Sequence, residues 1–197
     1  VKKTDRYKSD TNQYPRDPLL PKNLWFTSDP YWRTGYDHGH ICPSADRLNS
    51  AEANYQTFFL TNMQPQVHGF NAGVWQNMET KVRDIASRYN YTFCDTLYIC
   101  KGGTIDKPEQ VLETTGKGLL VPKYFFMAVL RVKNGVYNAM GFWIEHKASN
   151  DKKLAKYAVS IKELEAKTGI DFFCNLPDNI EYAVENAAVN NTFWGLN

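Results

Sequence analysis

The sequence predicts an α+β fold in which a mixed, mainly antiparallel central sheet is flanked by helices. Apolar, β-prone runs are spread along the chain, at residues 36–42, 57–62, 92–101, 123–132 and 138–145. The last two runs are separated by Asn134-Gly135, a pair typical of a tight antiparallel hairpin. Residues 70–89 instead repeat apolar side chains at helical spacing, so both sheet and helix are expected.

Length and composition favour one folded unit, and we expect residues 1–197 to form a single domain. Hydrophobic residues make up 43% of the chain and charged residues 22%, as in ordinary globular proteins. The formal charge of +2 permits a nucleic-acid partner without requiring one. No apolar run is long enough to cross a bilayer, so no membrane association is expected.

The chain is expected to begin with an irregular arm over residues 1–35. Four prolines restrict its backbone and remove N–H donors, which leaves little room for helix. They are Pro15, Pro18, Pro21 and Pro30. A short strand over 36–42, ended by Pro43, is expected next, followed by helical turns over 44–56 and a β-prone run over 57–62.

Three further helices are expected, and the best of them covers residues 70–89. One stripe of its surface repeats at i, i+4, i+7, i+11 and i+14, through Asn71, Trp75, Met78, Val82 and Ile85. Ser160 and Glu163 form a capping box for a short helix that Gly169 can end. Residues 178–188 are expected to form the last helix.

The cysteine pattern argues against a structural zinc site, because none of the four cysteines forms a C-x-x-C pair. They are Cys42, Cys94, Cys100 and Cys174. Cys94 and Cys100 fall in one predicted strand, about 20 Å apart, so they are not expected to bridge each other. The number of disulfides is left open at zero, one or two.

The first chemical motif is residues 36–47, YDHGHICPSADR, which places two histidines one residue apart. On a strand, His38 and His40 point to the same side. Three interpretations are open. The pair is the clamp of a zinc metallohydrolase, or a pair of hydrogen-bonded structural histidines, or it includes a general base that takes a proton near neutral pH.

The second motif is residues 61–79, TNMQPQVHGFNAGVWQNME. On a helix, Asn71, Trp75 and Glu79 lie on one side. Asn71 fits either a helix N-cap or a hard-cation ligand, since Mg²⁺ accepts amide oxygens and keeps several waters. Glu79, two turns later, is placed to hold such waters, and Trp75 is expected in the core.

Together the two motifs resemble the DNA/RNA non-specific endonuclease family of the His-Me finger, or ββα-metal, superfamily. That family carries D-R-G-H on a strand, then N-x-x-P-Q, then N-x-G-x-W-x-x-x-E on its metal-binding helix. The resemblance runs in order over about residues 30–180. It implies a single nuclease domain with a ββα-metal motif over residues 36–89.

The resemblance also implies a role for each matching residue. His40 is the implied general base that activates water, and Asp37 supports its strand and the metal's outer shell. Asn71 is the implied ligand of Mg²⁺, for which Mn²⁺ or another divalent cation can substitute, and Glu79 orients metal-bound waters. Asn62 is implied to brace the site.

The sequence departs from the family pattern at two places. His38, which we count among the catalytic candidates, stands where the family has an arginine. An imidazole lacks the permanent charge and forked geometry with which guanidinium binds phosphate. The family's second phosphate-binding arginine has three candidate counterparts here, namely Arg6, Arg16 and Arg33.

The leading prediction is a metal-dependent endonuclease of low sequence specificity that acts on DNA, with RNA as a further candidate substrate. The alternatives are a catalytically weakened nucleic-acid-binding relative, motivated by His38, and a zinc metallohydrolase that uses His38 and His40. A secreted or periplasmic location is expected, because an unspecific nuclease is hazardous beside its own genome. The oligomeric state is open, with a homodimer among the candidates.

Overall fold

A computed structural model describes Tyr7 and residues 13–197 of the chain. The described part of the arm is irregular, as expected, apart from a short 3-10 helix at Lys22–Leu24. The strands in the described part are β1 Asp37–His40, β2 Met63–Gln66, β3 Thr96–Gly103, β4 Val111–Thr114, β5 Leu120–Pro122, β6 Tyr124–Lys133, β7 Val136–Glu145 and β8 Ala158–Val159. The α-helices are α1 Ala51–Gln56, α2 Gln76–Tyr91, α3 Ile161–Thr168, α4 Asp178–Glu185 and α5 Asn191–Trp194. The predicted α+β class is confirmed.

The central sheet has four strands in the order β3-β6-β7-β8. β6 and β7 pair along their whole length, and their turn at Asn134 and Gly135 has φ angles of 49° and 73°. The predicted hairpin is therefore confirmed. β1 pairs with β2 and β4 with β5 in two smaller sheets, and every strand pair among the described residues is antiparallel.

A hydrophobic core covers each face of the central sheet, because alternate residues of a strand point to opposite sides. One face packs against the helical segment that carries the second motif, through Phe125, Met127, Val129, Met140, Phe142 and Ile144. The other face packs against α3 and α4, through Phe126, Ala128, Leu130 and Ala139. Burial on both faces explains why β6 is apolar over most of its length instead of alternating.

The predicted helix over 70–89 is interrupted near its start. A π-helical turn, Phe70–Trp75, precedes α2, and Gly73 leaves helical geometry with φ −113° and ψ −115°. The Val74 N–H donates to the Ser149 carbonyl oxygen at 2.6 Å, and a Cβ at Gly73 would lie 2.1 Å from that oxygen. A distant loop therefore enters the helix at its glycine. The apolar members of the predicted stripe are buried as expected, at Trp75, Met78, Val82 and Ile85.

The β-prone run over residues 57–62 does not form a strand. These residues form turns and a 3-10 helix, Leu60–Asn62, and β2 begins only at Met63. The Leu60 N–H donates to the Pro15 carbonyl oxygen at 3.0 Å, so part of this run bonds to the N-terminal arm. A turn of this kind satisfies the backbone without a partner strand.

The strand predicted over 92–101 begins later, at Thr96. Asp95 lies just before it and accepts a hydrogen bond from the Asn134 N–H at 2.7 Å. Cys94 is therefore outside the strand and Cys100 inside it, so the expectation that both lie in one strand is wrong. All four cysteines are unpaired: Cys42, Cys94, Cys100 and Cys174.

The C-terminal helices follow the sequence signals more closely. Ser160 Oγ accepts the Glu163 N–H at 3.1 Å, and Gly169 ends α3 with φ of 77°, so the predicted cap and stop are confirmed. The helix predicted over 178–188 ends at residue 185, and α5, which begins after Asn190, was not predicted. Among the described residues, no helix combines the length and apolar character needed to span a bilayer.

Candidate active site

The β1–β2 hairpin and the start of α2 bring the two sequence motifs together in a ββα arrangement. Asp37 lies opposite Gln66 across the pair. A Cβ at Gly39 would lie 2.2 Å from the Gln66 Cδ, so the motif glycine makes room for that buried glutamine. Trp75 Nε1 lies 3.5 Å from the His40 carbonyl oxygen, which ties the helical segment to β1.

Asp37 and Asn71 are joined directly. Asn71 Nδ2 donates to Asp37 Oδ2 at 2.9 Å, and His68 Nδ1 lies 2.9 Å from the same oxygen. An amide has one nitrogen and one oxygen, so this bond leaves the Asn71 Oδ1 directed away from Asp37. The arrangement presents a single amide oxygen, the ligand type predicted for a hard cation.

His40 has the properties of a neutral base. Its Nε2 is buried and has no hydrogen-bond partner among the described residues. Burial lowers the pKa of His40, the positive charge of Lys101 lowers it further, and a hydrogen bond with the His38 backbone raises it in opposition. The ring stands at 89° to Phe58, with centroids 5.2 Å apart. An imidazole that stays neutral and keeps one free nitrogen can accept a proton.

His38 lies in a stack of aromatic rings from the N-terminal arm. Its ring is parallel to Tyr14 at 3.6 Å between centroids and is tilted over Tyr31 at 4.2 Å. Its Nε2 lies 2.9 Å from the Asp29 carboxylate. Tyr14 also lies 6.4 Å from the His40 ring, so the two histidines share one side of β1, as predicted. Among the described residues, neither histidine belongs to a group of three or more potential metal ligands, which disfavours the zinc-clamp interpretation.

A cluster of three potential metal ligands occurs elsewhere. Oxygens of Glu165, Asp171 and Glu185 lie within 4.8 Å of one another. Glu165 belongs to α3 and Glu185 to α4, which pack on the face of the central sheet opposite α2. No other group of three or more His, Cys, Asp or Glu ligands was found among residues 13–197 and Tyr7. This cluster is therefore separate from the ββα arrangement.

Asn62 fixes the chain immediately after the histidine strand. Its Nδ2 donates to the carbonyl oxygens of Cys42 at 2.9 Å and Thr57 at 2.8 Å. Its Oδ1 accepts the Cys42 N–H at 2.8 Å. The oxygen and the nitrogen of the Asn62 amide thus both bond the backbone of Cys42, which lies two residues after His40. These bonds hold the backbone of Cys42 beside that of Thr57.

Glu79 is paired with a lysine that sequence reasoning missed. Lys101 Nζ on β3 donates to Glu79 Oε1 at 3.0 Å, and the two side chains are only 8% and 12% exposed. Burial raises the pKa of Glu79, while the charge and hydrogen bond of Lys101 lower it in opposition. Lys101 Nζ also lies 5.3 Å from the Trp75 ring. A lysine inside an apolar strand was the one sequence signal for this pair.

A groove of about 860 Å³, with Lys101 among its lining residues, runs along α2. Its walls are residues 41–48, the second half of α2 and part of β3, and its basic side chains are Arg47, Arg83 and Lys101. Arg83, one turn after Glu79, bonds the Asp46 carboxylate at 3.0 Å. The Asp46–Arg83 bond is therefore a further contact between the first motif and α2.

The candidate second arginines of the arm are placed differently. Arg16 donates to the carbonyl oxygens of Phe26 at 2.9 Å and Thr27 at 3.2 Å, so it holds the arm's own backbone. Arg33 is exposed, has a φ of 62° and lies over the Trp32 ring at 5.8 Å. Arg6 lies outside the described residues. Neither described arginine contacts the histidine strand.

Comparison with known proteins finds relatives that are named as nucleases. It is 34% identical over 192 residues to "Nuclease" from Nostoc sp., covering 88% of this chain and 64% of that protein. It is 30% identical to "Mitochondrial nuclease" from Saccharomyces cerevisiae, covering 87% and 56%. Identity to "Nuclease C1" of Cunninghamella echinulata is 28%, covering 89% and 72%. The chain thus spans about half to three quarters of the length of these relatives.

A solved structure and a family profile agree with these relatives. The structure titled as the EndoG/EndoGI complex matches with a TM-score of 0.73 and 23% identity, over 90% of this chain and 74% of that one. This match concerns the fold alone. The profile of the family described as DNA/RNA non-specific endonuclease matches residues 1–179. The chain therefore belongs to the DNA/RNA non-specific endonuclease family.

Proposed function

We propose that the protein is a divalent-metal-dependent endonuclease that hydrolyses phosphodiester bonds in DNA with low sequence specificity, with RNA as a second substrate. One observation carries the proposal most directly. The unpaired, buried Nε2 of His40 and the amide of Asn71, whose nitrogen is bound to Asp37, lie on one unit formed by β1, β2 and the start of α2. A neutral base and a hard-cation ligand are the two groups that this hydrolysis requires.

The residues present fit the metal that the family implies. Asn71 would hold the ion through Oδ1, because its Nδ2 is already bound to Asp37. Glu79 would supply a carboxylate to water bound by the ion, so both residues offer oxygen atoms, as Mg²⁺ prefers. Mn²⁺ is expected to substitute. When bound, such a cation neutralises the charge that develops on the phosphoryl and leaving oxygens.

The chain's own residues then have distinct tasks. His40 Nε2 takes the proton of the attacking water, and burial keeps the ring neutral for that task. Asp37 orients the Asn71 amide, and Asn62 fixes the end of the strand that carries His40. His38 is engaged by Asp29 and two tyrosine rings, so we propose that it fastens the arm to β1 instead of binding phosphate.

A plasmid-nicking assay with and without Mg²⁺ tests the function. We expect Mg²⁺-dependent nicking that His40→Ala lowers roughly 10²–10⁴-fold, the range for a lost general base. Asn71→Ala should raise the required Mg²⁺ concentration or abolish activity. Asn77→Ala is the matched control, because its amide bonds only Asn150 and Asp151.

DNA-binding measurements and metal analysis, added to this assay, separate the alternatives. DNA binding without cleavage at any metal concentration would favour the catalytically weakened binding relative. Tightly held zinc in the purified protein, with activity lost on its removal, would favour the metallohydrolase. Secretion stays our proposed location on the hazard argument, although some relatives are named as mitochondrial nucleases.

A further inference from the structure

His146, which neither motif contains, is a buried histidine with both ring nitrogens in use. The residue follows β7 and is 5% exposed. Nδ1 lies 2.8 Å from the Pro122 carbonyl oxygen, and Nε2 lies 2.8 Å from the Val67 N–H. A carbonyl only accepts and an N–H only donates, so Nδ1 carries the proton and Nε2 accepts. The ring is therefore the neutral Nδ1–H tautomer.

Val67 is the point at which the turn that carries Asn71 starts. Its carbonyl oxygen accepts the N–H of Phe70 at 2.9 Å and of Asn71 at 3.0 Å. Val67 therefore links the two residues: its N–H bonds the His146 ring, and its carbonyl oxygen bonds the Asn71 N–H. Phe70 also packs edge-on against the His146 ring, with centroids 4.9 Å apart.

The other contacts of His146 belong to the central core. Its backbone N–H donates to the Lys123 carbonyl oxygen at 2.9 Å, and its ring lies 5.1 Å from Phe125. These residues lie at the start of β6, whereas Val67 lies in the connection between β2 and α2. The imidazole is thus a bridge from the core to a segment that no strand pairing holds.

We propose that His146 is a positioning residue for the metal ligand, because its Nε2 fixes the Val67 peptide from which Asn71 presents its amide oxygen. The inference rests on the proposed function of Asn71 as that ligand. Residues that orient metal ligands typically cost 10- to 100-fold in metal affinity or activity when changed.

Two amide substitutions separate positioning from plain stability. His146→Gln places an amide near the position of Nε2, so it can still accept from Val67 while losing the bond to Pro122. His146→Asn places an amide near Nδ1, so it keeps the bond to Pro122 and loses the one to Val67. Each variant loses one buried hydrogen bond, which makes them a matched pair in unfolding free energy.

Mn²⁺ binding, followed by loss of the free-ion electron paramagnetic resonance signal, is the first readout. We expect His146→Asn to bind Mn²⁺ roughly 10-fold more weakly than the native protein, and His146→Gln to stay close to it. Amide hydrogen exchange is the second readout, and Val67 and Asn71 should lose protection in His146→Asn alone. Mg²⁺-dependent nicking should follow the same order.

The outcomes are distinguishable. Equal Mn²⁺ affinity in both variants, or affinity that follows only their unfolding temperatures, would overturn the positioning role. If the native protein binds Mn²⁺ and responds to the substitutions but cuts no DNA, the proposed function fails while the positioning of Asn71 stands. If exchange at Val67 is unchanged in His146→Asn, the bond does not hold that segment.

Discussion

Asn71 donates its side-chain N–H to Asp37 at 2.9 Å, and this bond joins the histidine strand to the turn before α2. An asparagine amide can present either its oxygen or its nitrogen to a cation, and only the oxygen is a ligand. Asp37 settles that choice by occupying the nitrogen. The carboxylate would thus act on the proposed metal site without having to touch the ion.

Asp37 substitutions should therefore change metal binding in a graded way. Asp37→Ala leaves the Asn71 amide free to rotate, so we expect Mn²⁺ affinity to fall roughly 10- to 100-fold. Asp37→Asn keeps an acceptor oxygen and should give a smaller loss. Titration by electron paramagnetic resonance checks both, with the exposed Asp106→Ala as control. Full affinity in Asp37→Ala would mean that another group orients Asn71.

The parts of the fold that could be predicted are those set by neighbours in sequence. The β6–β7 hairpin follows from Asn134-Gly135, and α3 follows from its cap at Ser160 and its stop at Gly169. The buried stripe of α2 follows from helical spacing. Each depends on residues a few positions apart, which periodicity and turn chemistry describe directly.

The parts that could not be predicted depend on contacts distant in sequence. The break at Gly73 is made by the Ser149 carbonyl, and the partner of Glu79 is Lys101 on another strand. The motifs named Asp37, His40 and Asn71, but they did not show that His38 turns to Asp29. No local pattern encodes such pairs, because each partner's own neighbourhood is unremarkable in composition.

His40 should give the enzyme an acid limit below the ordinary histidine range. Burial lowers its pKa from the usual 6.5, so the ring stays neutral as pH falls through that value. Since the base must be neutral, kcat/KM at saturating Mg²⁺ should hold through pH 6.5 and decline only at lower pH. Proton NMR of the His40 ring should show the same midpoint. An acid limb centred above 6.5 would contradict the assignment.

His38 substitutions should separate an arm anchor from a phosphate contact. His38→Phe keeps the stack between Tyr14 and Tyr31 and loses only the bond to Asp29, whereas His38→Ala loses both. If His38 anchors the arm, His38→Phe should have near-native kcat, and His38→Ala should have a more mobile arm. Limited proteolysis of the arm and steady-state kinetics measure these effects. An equal fall in kcat for both variants, with the arm intact, would indicate phosphate binding.

Lys101 should hold the Glu79 carboxylate in its ionised form. Burial raises the pKa of Glu79 and Lys101 opposes that rise, so Lys101→Met should leave the carboxyl protonated to higher pH. We expect the Met variant to bind Mn²⁺ more weakly than the native protein, and most so at acidic pH. Lys101→Arg, which keeps the charge, is the control. Tighter binding in Lys101→Met would show instead that the ammonium competes with the cation.

The buried neutral His146 should make folding stability fall in mild acid. Burial lowers the pKa of His146 below the usual 6.5, while its hydrogen bond to the Pro122 carbonyl oxygen raises it in opposition. The unfolded chain therefore binds a proton at a higher pH than the folded chain does. Stability is complete above about pH 6.5 and is lost as pH falls from there through the folded-state pKa.

His146→Gln isolates this contribution, because glutamine does not titrate and still accepts from Val67. Urea unfolding of both proteins between pH 5 and 8 should show a smaller loss of unfolding free energy in the variant on the acid side. Any share from His40, whose pKa is also lowered, remains in both proteins and cancels in the difference. Parallel pH profiles for the native and His146→Gln proteins would mean that His146 does not stay neutral in the fold.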